Sequence, residues 1–130
     1  MQSNKVVVRF KDGSIIKGNT SDLFPNKSHF HLNHHLDGKI EQVDIEELKA
    51  VFFVKDYKGN KDHKKKYDDE FHGAGRKIIV DFNDGESIIG YALGYSPDRK
   101  GFFITPADLN GNNERVFVVK SATKNIKFIS

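Results

Sequence analysis

The stretch VVVRFKDGSIIKG, residues 6–18, decides the fold. Alternate residues of its first segment are apolar, which is the two-residue period of a strand with one buried face. Asp12 and Gly13 then supply the turn, because glycine adopts the positive φ that a tight hairpin needs, and a second strand returns. Residues 78–90, IIVDFNDGESIIG, have the same order of apolar strand, Asp-Gly and returning strand. The sequence therefore predicts two β-hairpins of one design.

An internal repeat extends beyond these hairpins. Residues 5–33 superpose on residues 77–105 without a gap, and nine of these 29 positions are identical. A second block, which follows a loop of different length, places residues 41–54 on residues 116–129. A unit of about fifty residues has a marginal core when it folds alone. We therefore expect a duplicated unit whose two copies stabilise each other.

The strand pattern of each copy predicts a small barrel. Five short, strongly bent strands with a single helical turn before the last would close into a barrel of the SH3-like or Sm-like type. The predicted fold class is all-β, with two tandem five-stranded small barrels related by internal duplication. In the first copy the strands are expected at about residues 6–10, 14–17, 29–32, 40–45 and 50–54.

The net charge of the chain lies between the two copies. We expect a first barrel at residues 1–54, a charged linker at 55–76 and a second barrel at 77–130. The chain carries +3 at pH 7, with a sequence pI of about 9.0. Residues 55–77 contain eight basic and five acidic side chains, which account for this whole surplus. A solvated linker is the favoured interpretation. The alternative is a contact with a nucleic-acid backbone, made by Lys61, Lys64, Lys65 and Lys66.

The first hairpin resembles the first motif of Sm-like barrels, a family of RNA-binding ring proteins. In that motif an apolar strand leads to a glycine, an apolar position and a second glycine, which Gly13, Ile16 and Gly18 match. This resemblance implies a small barrel and, as an alternative function, RNA binding. The same hairpin, together with LKAVFFVKDYKGN at residues 48–60, is also similar to an uncharacterised bacterial family whose members carry such barrels. That second resemblance implies a fold and no activity.

The side chains that could carry chemistry form no catalytic or metal-binding pattern. The chain has no cysteine, which excludes disulfides, thiolate zinc sites and cysteine nucleophiles. His29 and His31 lie two apart on one strand, followed by His34 and His35, but no carboxylate and histidine signature accompanies them. No phosphate-binding loop or nucleophile elbow occurs either. We expect no metal, no cofactor and no enzymatic activity.

Comparison of the two copies identifies apolar side chains that face outward. Positions that are apolar in both copies should face inward, as at Val51 and Phe53 on the fifth strand. Val7 and its counterpart Ile79 break this rule, because both are apolar although the strand period places them outward. Phe52 then faces outward, where the second copy has Lys127. Large apolar side chains are stabilised by burial against another surface. We expect such a surface to join the two copies or two chains, formed by Val7, Phe52, Ile79, Phe103, Phe117 and Val119.

These observations favour a non-catalytic binding or protein-interaction module in the bacterial cytoplasm, with a protein partner or a homo-oligomer. No apolar stretch approaches the length of a membrane span, and the first residues contain no apolar signal region, so we expect no membrane contact. The alternative is an Sm-like RNA-binding or DNA-binding protein that uses its loops and the linker lysines.

Overall fold

The computed structural model describes residues 4–55, 75–107 and 113–129, and they form an all-β fold. In these ranges no helix is long and apolar enough to cross a membrane. The strands of the first half are β1 (Asn4–Phe10), β2 (Ile15–Thr20), β3 (His29–His34), β4 (Ile40–Asp44) and β5 (Leu48–Val54). Those of the second half are β6 (Arg76–Phe82), β7 (Ser87–Leu93), β8 (Gly101–Pro106), β9 (Asn113–Val119) and β10 (Thr123–Phe128). Single turns of 3₁₀ helix precede β5 and β10, at Ile45–Glu47 and Lys120–Ala122. Most of the predicted linker lies outside the described residues.

The two predicted hairpins are confirmed and share one geometry. β1 pairs antiparallel with β2, and β6 pairs antiparallel with β7. Gly13 and Gly85 have φ angles of +93° and +95°, which are costly for residues with a β-carbon. The amide of Phe10 donates to the carbonyl oxygen of Ser14 at 2.9 Å, and the amide of Phe82 donates to that of Glu86 at 2.8 Å. Both Asp-Gly segments therefore reverse the chain in the same way.

Gly18 and Gly90 allow the third strand of each half to approach the second closely. A β-carbon on Gly18 would lie 2.2 Å from the carbonyl oxygen of Asn33, and one on Gly90 would lie 2.4 Å from that of Thr105. Neither distance is compatible with a side chain, so the backbone contact requires glycine at both positions. The second glycine of the repeated motif thus has a structural cause in each half.

All ten described strands belong to one antiparallel sheet that is not closed. Their order is β10-β6-β7-β8-β9-β5-β1-β2-β3-β4, so the last strand of each half lies beside its first strand. The prediction of two separate closed barrels is not confirmed, because the second side of β5 pairs with β9 of the other half. The described sheet consequently runs from one half into the other without interruption, and it ends at β4 and β10.

The sheet has two hydrophobic cores, one on each face. The first core contains Val6, Val8 and Phe30 from the first half, and the second contains Ile78 and Phe102 from the second half. The predicted inward positions on the fifth strand, Val51 and Phe53, are confirmed, because both are buried in the core of the first half. The core of the first half therefore lies on one face of the shared sheet, and the core of the second half lies on the other.

Candidate interaction surfaces

The junction between the halves, formed by β5 and β9, is buried on both faces. All seven residues of β5 are buried. In the β5–β9 register Val51 is opposite Phe117 and Phe52 is opposite Val116. Opposite residues of an antiparallel pair point to the same face. Val51 and Phe117 therefore enter the first core, while Phe52 and Val116 enter the second. Each half contributes side chains to the core of the other.

Five of the six residues predicted to form an outward surface meet at this junction. Phe52, which is 7% exposed, packs in the core of the second half. Phe117 and Val119 are fully buried in the core of the first half. Val7 and Phe103 are partly buried, and each packs against the core of the opposite half. In this structure these side chains connect half to half within one chain.

Gly101 provides the space that Phe117 occupies. A β-carbon at Gly101 would lie 2.5 Å from the ring of Phe117, which also makes an edge contact with the Phe103 ring at a centroid distance of 5.1 Å. The counterparts of Gly101 and Phe117 in the first half are His29 and Gln42. The glycine and the large aromatic side chain thus occur together in the half that supplies β9 to the junction. Sequence reasoning missed Gly101, although this joint difference between the copies was a usable signal.

A buried lysine adds an electrostatic contact between the halves. The Lys49 ammonium group binds the Asp84 carboxylate at 2.7 Å and also the Glu86 carboxylate, and it lies 4.8 Å from the centroid of the Phe82 ring. The hydrogen bond from Lys49 lowers the pKa of Asp84 below its usual value of 3.8. A second pair, Lys100 with Glu46 at 2.7 Å, is more exposed. Lys49 was not predicted as a contact residue, although lysine also occupies the equivalent position 124.

The two edges of the sheet, β4 and β10, carry different side chains. Ile40 on β4 is 72% exposed, and Leu36 in the preceding turn is 93% exposed. Next along β4 come Glu41, Gln42 and Asp44, all exposed. The opposite edge, β10, has exposed lysines at positions 124 and 127. Ile79, the sixth residue of the predicted surface, lies half-buried on β6 directly beside β10 and away from the junction.

Two histidines of the first half pair with carboxylates. His31 Nδ1 lies 2.7 Å from Asp22 Oδ2, and His34 Nε2 lies 2.7 Å from Glu41 Oε1. Burial raises the pKa of Asp22, but hydrogen bonds from His31 and Thr20 outweigh this effect and leave it below the usual value. Within the described ranges, no group of three or more His, Cys, Asp or Glu side chains could hold a metal ion.

A cationic cleft of about 270 Å³ lies at one end of the junction. Lys5, Lys55 and Arg115 line it, together with Glu114 and Phe53. The guanidinium carbon of Arg115 lies 4.2 Å from the centroid of the Phe53 ring, a distance typical of a cation–π contact. The lysines of the nucleic-acid alternative lie outside the described residues: Lys61, Lys64, Lys65 and Lys66.

The fold and these surfaces define an all-β protein whose two similar halves share one continuous sheet. A family model described as "Family of unknown function (DUF6982)" matches residues 2–130, and the chain belongs to this family. No curated protein and no solved structure matches the chain.

Truncation of Phe117 tests the junction. We expect Phe117→Ala to lower the free energy of unfolding by about 3–5 kcal/mol, because it removes a fully buried ring and leaves a cavity. The matched control is Phe24→Ala, since Phe24 is 42% exposed and should contribute about 1 kcal/mol or less. Urea denaturation followed by circular dichroism measures both variants. Equal losses for the two variants would contradict the junction described above.

Removal of the buried lysine tests the ionic contact. We expect Lys49→Ala to destabilise the protein by about 1–3 kcal/mol, and Lys100→Ala, at an exposed pair, by about 0–1 kcal/mol. The pKa of Asp84 is lower in the folded state than its usual value of 3.8. The ion pair of Asp84 with Lys49 therefore contributes fully to the free energy of unfolding above pH 3.8, and this contribution is lost as the pH falls through the pKa of Asp84 in the folded state. The difference between wild type and Lys49→Ala should therefore shrink below that pH in denaturation curves. If the stability difference between wild type and Lys49→Ala grows on acidification, the ion pair of Lys49 with Asp84 does not stabilise the fold as described.

Proposed function

We propose that this chain is a non-catalytic protein-interaction module that binds a protein partner along the strand edge β4. The observation that carries this proposal is the exposure of Ile40 and Leu36, at 72% and 93%, beside an edge strand. Exposed apolar side chains that lie together on a folded domain are a common mark of an interaction site. Strand edges bind partners readily because their outer backbone groups are available for hydrogen bonding.

The charges of β4 restrict which partner can bind there. Glu41 and Asp44 are exposed on the edge strand, and charged side chains on an edge discourage unselective pairing. A partner strand with basic side chains would offset these charges, since complementary charge across an interface selects partners and fixes the register. We therefore infer that the ligand of this edge is an extended segment with basic and apolar side chains.

We further propose that the two halves derive from duplication of one small-barrel unit of the SH3-like or Sm-like type. Two observations support this proposal. Each half has the same strand order, with the fifth strand beside the first. Each half also has a single 3₁₀ turn directly before its fifth strand, and Ile45–Glu47 and Lys120–Ala122 occupy equivalent positions in the aligned sequences. Pairing of β5 with β9 then explains why the two units form one sheet.

A second candidate function is nucleic-acid binding at the cationic cleft. Three basic residues, Lys5, Lys55 and Arg115, line this cleft together with Phe53. Basic grooves with aromatic faces bind single strands through phosphate contacts and base stacking. Glu114 in the same cleft reduces its positive potential. The edge of β4 therefore remains the favoured site.

Capture from the native cell extract distinguishes the two candidate functions. The bait is the full chain, with Ile40→Ser as the edge variant. Ile15→Ser is the matched control, because Ile15 is also exposed, at 44%, but lies at the start of β2. We expect a protein that survives nuclease treatment and is retained by wild type and Ile15→Ser, but recovered several-fold less by Ile40→Ser.

Two outcomes would contradict the interaction proposal. If nuclease treatment releases the captured material, the chain binds nucleic acid rather than a protein partner. Added salt should then release the same material. If Ile40→Ser and Ile15→Ser retain the partner equally, the partner does not bind along β4.

A further inference from the structure

Among the described strands, the two edges of the sheet are the counterparts of the two strands that form the junction. The second block of the repeat relates β4 to β9 and β5 to β10, and the 3₁₀ turns at Ile45–Glu47 and Lys120–Ala122 obey the same alignment. Inside the chain, β5 and β9 are paired. The described sheet therefore ends at one side in β10, the counterpart of β5, and at the other side in β4, the counterpart of β9.

We propose that these edges pair between copies, so that β10 of one chain binds β4 of the next in the register of the internal junction. This inference rests on the proposed function, since it identifies the partner of β4 as a second copy of this chain. The contact joins two different surfaces, so it is head-to-tail and leaves one edge uncovered at each end of a dimer. Repetition of such a contact produces a closed ring or a filament.

Transfer of the junction register brings complementary side chains together. In the junction Phe52 is opposite Val116, and Phe53 is opposite Arg115. In the contact between chains, the counterpart pairs place Lys127 of one chain opposite Glu41 of the next, and Phe128 opposite Ile40. One pair has opposite charges and the other is apolar, and opposite residues of both kinds stabilise an antiparallel pair. The contact would thereby cover Ile40, which is 72% exposed in the single chain.

A third contact follows from the buried lysine of the junction. Lys49, on β5, binds Asp84 in the hairpin turn of the other half at 2.7 Å. Its counterpart on β10 is Lys124, which is exposed, and the counterpart of Asp84 is Asp12. Head-to-tail pairing would bring Lys124 of one chain to Asp12 of the next. Lys124 lies in the half that supplies β10 to the contact, and Asp12 lies in the half that supplies β4.

The position of Ile79 agrees with the same arrangement. Val7 faces outward on β1 and packs against the core of the other half across the junction. Its counterpart Ile79 is apolar as well, although it lies beside the edge strand β10, where it is half-buried. A second chain bound to β10 would cover Ile79 as the second half covers Val7. This explains why an outward position is apolar in both halves.

The contact between chains should be weaker than the junction within a chain. The counterparts of Phe52, Phe117 and Val119 at the sheet edges are Lys127, Gln42 and Asp44. Less apolar area is therefore buried, and the charged pairs contribute more of the attraction. We expect reversible association that weakens as ionic strength rises, because salt screens exposed ion pairs.

Sedimentation velocity on the full chain tests this inference with two charge-reversal variants. Glu41→Lys and Lys127→Glu each place like charges opposite one another in every contact between identical chains. We expect each variant to associate about tenfold more weakly than wild type, since like charges opposite one another destabilise strand pairs. Asp98→Lys and Arg99→Glu are the controls, because they make the same two changes in net charge in the exposed loop before β8.

The decisive sample is an equimolar mixture of the two charge-reversal variants. In one kind of contact between unlike chains, the lysine introduced at position 41 faces the glutamate introduced at position 127. In the other kind, the native Glu41 faces the native Lys127, so every contact between unlike chains is complementary. We expect the mixture and both control variants to associate like wild type.

Two results of these measurements would overturn the inference. Failure of the mixture to recover association, with each variant weakened alone, would overturn the proposed register. A wild-type chain that stays monomeric at all concentrations would overturn self-pairing. Capture of a different protein that depends on Ile40 would in that case still support the proposed function, so the two proposals fail separately.

Discussion

The pairing of β5 with β9 holds the two halves of the sheet together. It joins two five-stranded halves by backbone hydrogen bonds and also completes both cores, because alternate side chains of the two strands point to opposite faces. Burial of one large apolar side chain stabilises a fold by roughly 1.5–3 kcal/mol. Phe52 and Phe117 each provide such burial in the core of the other half. Units of this small size benefit strongly from this added burial.

Much of each half could be predicted from its sequence, because the signals are local. The two-residue period identifies strands, and Asp-Gly identifies hairpins. Comparison of the copies then separates inward from outward positions, as Val51 and Phe52 illustrate. Pairing of β5 with β9 could not be predicted, since no local pattern specifies which distant strand pairs with the second side of β5. The contact of Lys49 with Asp84 was missed for the same reason, because it joins residues far apart in the sequence.

The outward side chains of the two junction strands differ in chemistry from those of their counterparts at the sheet edges. Where β5 and β9 meet, the outward side chains are apolar, whereas the counterpart edges β10 and β4 carry Lys127, Gln42 and Asp44. Charged edges limit unselective strand pairing. Ile40 is an exception among these polar edge residues, because it is a large apolar side chain that is exposed on β4. This exposure favours β4 as the interaction site. The shared fold thus explains stability, and the divergent edges carry the proposed interaction.

The β5–β9 junction should make the two halves unfold as a single cooperative unit. Differential scanning calorimetry of the wild-type chain tests this cooperativity, at a concentration and salt level where the chain is monomeric. We expect one transition whose calorimetric enthalpy equals its van't Hoff enthalpy, as for any two-state domain. Two resolved transitions, or a calorimetric enthalpy well above the van't Hoff value, would contradict it, since the halves would then unfold independently.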